Sequence, residues 1–176
     1  MVIPNRRNTN FANAPATHLL NAMRLIEASG VKYEEFEYDA SLGISGVDVA
    51  HTLNEDERMV FKTLVTETNK GEHFVFIVPV AMELDLKKAA KAADAKKVDM
   101  LKQKDLLPLT GYVHGGCSPI GMKTKLGTFI DASAMDKEYI YVSGGKIGLQ
   151  IKISPADLIK LTDGAAIDIV KTAVLQ

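Results

Sequence analysis

Three stretches of the chain carry groups able to act on a carbonyl. The first is Lys62, inside Met-Val-Phe-Lys-Thr-Leu-Val-Thr (residues 59–66), where its neighbours are mostly apolar. An unpartnered ammonium in such surroundings is costly. Either the stem lies along the core with the charged head in water at the strand's end, or the lysine is kept there for a ligand. The second stretch, Gly111 to Gly121, holds four of the chain's 13 glycines. Glycine admits positive φ and close approach of a ligand to the backbone, and Pro119 fixes the chain direction after the turn. Such a loop can aim several N–H groups at one oxygen, as stabilisation of a developing oxyanion requires. A glycine-rich hairpin with no ligand is the plain alternative. It is neither a P-loop nor a Gly-x-Gly-x-x-Gly turn, because the required spacing is absent. The third stretch is Ser143-Gly144-Gly145 at the tip of a hairpin, suited to polarising a carbonyl or holding a ribose hydroxyl.

Other chemistry finds less support. No His or Cys residues pair at metal-binding spacing, so neither a metal nor another cofactor is expected. Cys117 is the only cysteine; it excludes an internal disulfide and fits a reducing compartment. As a nucleophile it needs a base, and His114 is three positions away in a loop whose geometry the sequence does not reveal. His18, His51 and His73 are scattered. Seven lysines (87, 88, 91, 96, 97, 102 and 104) stand between residues 87 and 104 against two aspartates, 94 and 99. This is the one basic concentration, and it reads as a solvated helix face or as a grip on phosphates.

The elements that must position these groups follow from periodicity. A helix is expected from near Thr17, with Leu19, Leu20, Met23 and Ile26 as its stripe and Gly30 as its stop. Strands are expected over 31–38, 59–66, 73–80, 126–131, 139–143 and 149–153, and a short helix over 47–53. The strand holding Lys62 is apolar on both faces and should be covered on both. A helix over 84–95 should turn Leu86, Ala89, Ala90 and Ala93 inward, and residues 105–109 read as the approach to the glycine loop. Ser154 should cap a helix beginning at Pro155. Ala166, Ile169, Val170 and Ala173 suggest a final one. Strands come in hairpins rather than in strand–helix alternation, so the fold class is α+β, a mixed and barrel-like sheet flanked by helices.

At 176 residues, 47% hydrophobic and 24% charged, the chain fits one ordinary globular domain. Residues 1–15 read as a flexible tail and 16–176 as the domain. A net charge of −1 excludes coating nucleic acid by bulk electrostatics, leaving only a local patch. No apolar run reaches the length of a membrane span and no signal-peptide pattern precedes the domain, so the expected location is the cytoplasm.

Four segments occur together and in order: Phe61-Lys62-Thr63-Leu64; Leu84-Asp85-Leu86-Lys87-Lys88; Gly111-Tyr112-Val113-His114-Gly115-Gly116-Cys117-Ser118-Pro119; and Tyr141-Val142-Ser143-Gly144-Gly145-Lys146. From about Thr17 onward the chain resembles the YbaK/EbsC family, related to the editing domain of bacterial prolyl-tRNA synthetases. The resemblance implies a trans-editing aminoacyl-tRNA deacylase acting on mischarged tRNA, Cys-tRNA(Pro) first and Ala-tRNA(Pro) next, with prolyl-tRNA synthetase as a possible partner. It makes Lys62 the residue most tied to activity and assigns the aminoacyl end to the loop with Gly115, Cys117, Ser118 and Pro119, beside Ser143; to these we add the Gly116 amide as a catalytic group and Gly144 and Gln150 as substrate contacts. Where the cysteinyl branch has Asp after the hairpin, this chain has Gln150. On this reading Lys87, Lys88 and Lys91 touch the tRNA body, and Gly116→Ala impairs deacylation while sparing the fold. A non-catalytic tRNA- or synthetase-binding module, or a small-molecule regulator, are the readings from other classes.

Overall fold

The computed structural model describes residues 6–7 and 21–172. The tail expected over residues 1–15 therefore lies outside the described residues, apart from β1 (Arg6–Arg7), which pairs antiparallel with β2 (Glu34–Glu37). Two mixed-order sheets carry the fold. One has the order β1-β2-β8-β7, with β7 at Ile140–Ser143 and β8 at Leu149–Ile153. The other runs β5-β3-β4-β6-β9, made of β3 (Phe61–Thr68), β4 (His73–Pro79), β5 (Val98–Met100), β6 (Gly127–Asp131) and β9 (Ala165–Ile167). β3 and β4 form the expected hairpin, while β4–β6 and β6–β9 are parallel.

The sheets meet at one parallel bridge, Val60 to Tyr141. The Tyr141 hydroxyl donates to Glu55 Oε1 at 2.9 Å, which ties β7 to the turn after α2 (Gly46–Thr52). Between the sheets lies the main core, containing Phe61, Val65, Ile77, Ile120, Val142 and Ile151. Leu64 lies against a second cluster with Phe76 and Val78, and Val60 belongs to a third with Val49, Leu53 and Tyr141. β3 is thus covered on both faces, as its two-sided apolar pattern requires. In α1 (Asn21–Ser29), Met23 and Ile26 face the core, and Gly30 stops the helix at φ +74°. Ser154 caps α5 (Pro155–Thr162) by accepting the N–H of Asp157.

Three expectations need correction, and one strand is not anticipated by the sequence. Residues 103–110 form a helix, α4 (Gln103–Thr110), despite Pro108 within it. Gly111 ends it at φ +82° with its N–H on the Leu107 carbonyl. The lysine-rich run contains strand β5, held to Thr66–Thr68. Leu86 is the first residue of α3 (Leu86–Ala92) and is 39% exposed, because the core at that end is filled by Leu84 just outside the helix. The final helix is instead strand β9 followed by an extended segment. Its backbone is taken up by Asp131, which accepts the Ile169 N–H, and by a bridge from Val170 to Leu84. Ala173 lies outside the described residues.

Candidate active site

Lys62 is partly buried, and its Nζ donates to the Val80 carbonyl at 3.4 Å. Desolvation lowers its pKa below the ordinary lysine value, with Glu83 opposing the shift. An ammonium has three donors, so most of its hydrogen-bonding capacity is left for a ligand. Strand register supplies its neighbours. Val60 pairs in parallel with Tyr141, so Lys62 on β3 and Ser143 on β7 each stand two positions further in the same direction. Ser143 is paired with Gln150, and Gln150 with Phe36. Lys62, Ser143 and Gln150 therefore occupy successive places in one row. The bridge is isolated, so β3 and β7 do not continue as a hydrogen-bonded pair beyond it.

Two polar atoms beside Lys62 and Ser143 are buried without a partner, Gln150 Oε1 and Thr63 Oγ1. Buried acceptors are normally satisfied, and the Gln150 oxygen stands in the Lys62 row. The Ser143 hydroxyl accepts the Gly145 N–H at 3.2 Å and so shapes the hairpin tip. Gly144 is buried, with Leu149 and Met23 where a Cβ would stand.

The glycine loop departs from the sequence expectation. Gly116 donates its N–H to the Val113 carbonyl at 3.0 Å, so in this structure the amide closes a turn. Its lack of a Cβ has another cause: one built there would lie 2.8 Å from Ile147 N and from the Lys146 carbonyl carbon. Cys117, Ser118 and Pro119 are buried beneath the loop. The Ser118 hydroxyl accepts the Ile120 N–H at 3.2 Å. Burial pushes the Cys117 thiol up to about 12, and a thiol that stays protonated is no nucleophile. These three residues hold the loop from below. Gly115, at φ +85°, stands nearer its surface, and His114 is exposed.

The lysines of α3 divide. Lys88 Nζ is 3.0 Å from Asp168 Oδ2 and donates to the Val170 carbonyl at 2.7 Å, fastening the segment after β9 to the helix. Lys87 and Lys91 are exposed. Sequence reasoning missed the Val80 carbonyl and Glu83, which meet Lys62 only through the turn after β4, and no motif pointed to them. A cleft of about 850 Å³, lined by Glu27, Tyr33, Glu138, Tyr139 and Lys152 among others, contains none of the motif residues. Among the described residues no group of His, Cys, Asp and Glu could hold a metal.

An ammonium with spare donors and an unpartnered amide oxygen, with tightly packed loops nearby, suit an ester that brings its own leaving group. The chain belongs to the aminoacyl-tRNA editing domain family, whose model matches residues 45–161, the span that holds Lys62, the glycine loop and the hairpin. It is 46% identical over 145 residues to the Enterococcus faecalis protein EbsC, provisionally named a Cys-tRNA(Pro)/Cys-tRNA(Cys) deacylase, covering 82% of this chain and 88% of that one. A solved structure described as a candidate trans-editing enzyme for prolyl tRNA synthetase superposes with a TM-score of 0.77 at 23% identity, over 86% of this chain and 96% of its own. Another, of a hypothetical protein, gives 0.80 at 20% identity, covering 86% and 100%. At those identities the two structures speak for the fold.

Proposed function

We propose that this protein is a trans-editing aminoacyl-tRNA deacylase, releasing a wrong amino acid from mischarged tRNA, with Cys-tRNA(Pro) the first substrate to test. The observation that carries this reading is Lys62, a partly buried ammonium with one long carbonyl contact, in a row with Ser143 and the unpartnered Gln150 oxygen. The family and the EbsC relative support it.

The aminoacyl ester is already activated, so holding the terminal nucleoside in place supplies much of the rate. Lys62 stabilises the charge that develops on the carbonyl oxygen. The Gln150 oxygen accepts from the substrate's α-ammonium, which also relieves its own burial. For a cysteinyl ester, the substrate thiolate attacks its own carbonyl, the ester C–O bond breaks, and the amino acid leaves as a thiolactone while the 3′ oxygen takes up a proton. For an alanyl ester a water attacks instead. A neutral Gln150, where the cysteinyl branch has Asp, keeps the alanyl ester as the second substrate. The domain extends over 16–176, the compartment is that of translation, the cytoplasm, and prolyl-tRNA synthetase is the protein partner to test by co-sedimentation. Among the described residues no helix is long and apolar enough to cross a membrane.

The test is release of amino acid from Cys-tRNA(Pro) and Ala-tRNA(Pro). Removal of one oxyanion-hole donor costs about 10²–10³ in kcat, so Lys62→Ala should lose at least the lower figure. Equal release by wild type and variant would defeat the Lys62 mechanism, and none by either would leave the binding-module reading in its place.

A further inference from the structure

The surface around Gly115 and Gly116, a rim beside the Lys62 strand, combines two exposed isoleucines with an unpaired cation. Ile44 and Ile147 are 45% and 39% exposed. They come from distant parts of the chain, the loop before α2 and the β7–β8 turn, yet both converge on Gly115. A Cβ built there would lie 3.6 Å from Ile44 Cδ1 and 3.5 Å from Ile147 Cγ1. Two residues after Ile44, Gly46 packs on Val80, whose carbonyl receives Lys62. The apolar rim is thus joined to the Lys62 end of the row through one short stretch of backbone.

Lys146, next to Ile147, is exposed. The described lysines that form ion pairs are 88, 97, 125, 137, 152 and 171, and Lys146 is not among them. Its side chain is free but its backbone is not. Gly116 packs against its carbonyl carbon, and Gly145, at φ +107°, leaves only 3.0 Å between a would-be Cβ and the Tyr112 ring. The Tyr112 hydroxyl in turn donates to the Ile120 carbonyl at 2.6 Å. The backbone that carries the cation is therefore held at a fixed place on the rim.

An aminoacyl ester has no carboxylate, because that carbon is the esterified one. The anions it brings are phosphodiesters. We propose that this rim holds the nucleotide that carries the aminoacyl group: Ile44 and Ile147 flank its base, and Lys146 contacts the phosphodiester on its 5′ side. The assignment rests on the deacylase reading and names the substrate contact of the same site.

Two short substrates separate the contacts: an aminoacyl-adenosine, which has no phosphodiester, and an aminoacylated CCA trinucleotide. An exposed charge contact is worth on the order of 1 kcal/mol. Lys146→Ala should therefore lower the ratio of kcat/KM for the trinucleotide over the adenosine about fivefold, through KM. It should also flatten the salt dependence of trinucleotide binding by about 0.7 in log–log slope, and Lys146→Arg should restore both. The Ile44→Ser/Ile147→Ser pair should weaken both substrates. An unchanged ratio, or loss on both substrates alike with Lys146→Ala, overturns the phosphate contact. No effect of the double serine variant overturns the base contact. Titration with uncharged CCA keeps the two readings apart. If wild type cleaves neither ester but binds CCA through Lys146, the deacylase reading fails and the nucleotide site stands. If it cleaves both esters and neither Lys146→Ala nor the double serine variant has an effect, the nucleotide site fails alone.

Discussion

In the proposed mechanism Lys62 is asked to do two opposed things. Its ammonium must remain charged to stabilise an oxyanion, yet burial disfavours that charge, and Glu83 offsets only part of the penalty. For a base whose folded pKa lies below its unfolded value, the unfolded chain binds more protons between the two, so stability rises as pH rises through that window. Below it the charged lysine is a cost to the fold. Lys62→Met keeps the stem and removes the charge, so it should raise the thermal midpoint slightly at neutral pH while abolishing deacylation. The wild-type rate should fall on the alkaline side at a pH below that of an ordinary lysine. A lower midpoint for Lys62→Met would mean that the ammonium stabilises the fold and is not strained in place for catalysis. Cys117 shows the opposite outcome at the same scale: a thiol beside a histidine in sequence is a core residue in space, because its loop turns it inward.

At the scale of elements, the site depends on two loops that no hydrogen-bond ladder connects. The glycine loop and the β7–β8 turn meet backbone to backbone at Gly116, with room for hydrogen and not for a methyl group. Forcing an extra carbon into such a contact costs about 1–3 kcal/mol. Gly116→Ala should therefore lower the thermal midpoint by several degrees along with activity, contrary to the sequence expectation that the fold is spared. A normal midpoint with lost activity would return the glycine to the chemistry. The final segment follows the same logic. Ala166, Ile169 and Val170 lie at helical spacing, but Asp131, Leu84 and Lys88 capture that backbone and side-chain surface as an edge of the sheet. Periodicity reports which residues are apolar, while partners elsewhere in the chain decide what the backbone does.

At the scale of the whole molecule, a chain of net charge −1 must grip tRNA through local cations. Of the three α3 lysines the sequence singled out, Lys88 is committed to Asp168 and Val170, which leaves Lys87 and Lys91 exposed. Each phosphate neutralised contributes about −0.7 to −0.9 to the log–log salt slope. The Lys87→Ala/Lys91→Ala variant should flatten that slope for full-length mischarged tRNA and raise KM, with turnover at saturation nearly unchanged, since these residues contribute binding away from the reacting bond. If turnover falls and the slope stays, α3 belongs to the active site and the tRNA body rests elsewhere.

The sequence alone determined the family, the fold class and most strands, because linked motifs and two-residue alternation are local properties that survive without coordinates. It also isolated Lys62, since a charge in an apolar strand is conspicuous in one dimension. What only the tertiary structure decided is which groups face one another. The row of Lys62, Ser143 and Gln150 arises from a single bridge between residues 60 and 141. The inward turn of Cys117 and Ser118, the spent amide of Gly116 and the meeting of Ile44 with Ile147 over Gly115 are likewise contacts between distant segments. Such contacts depend on how two sheets close on each other, and no spacing within one segment encodes that closure.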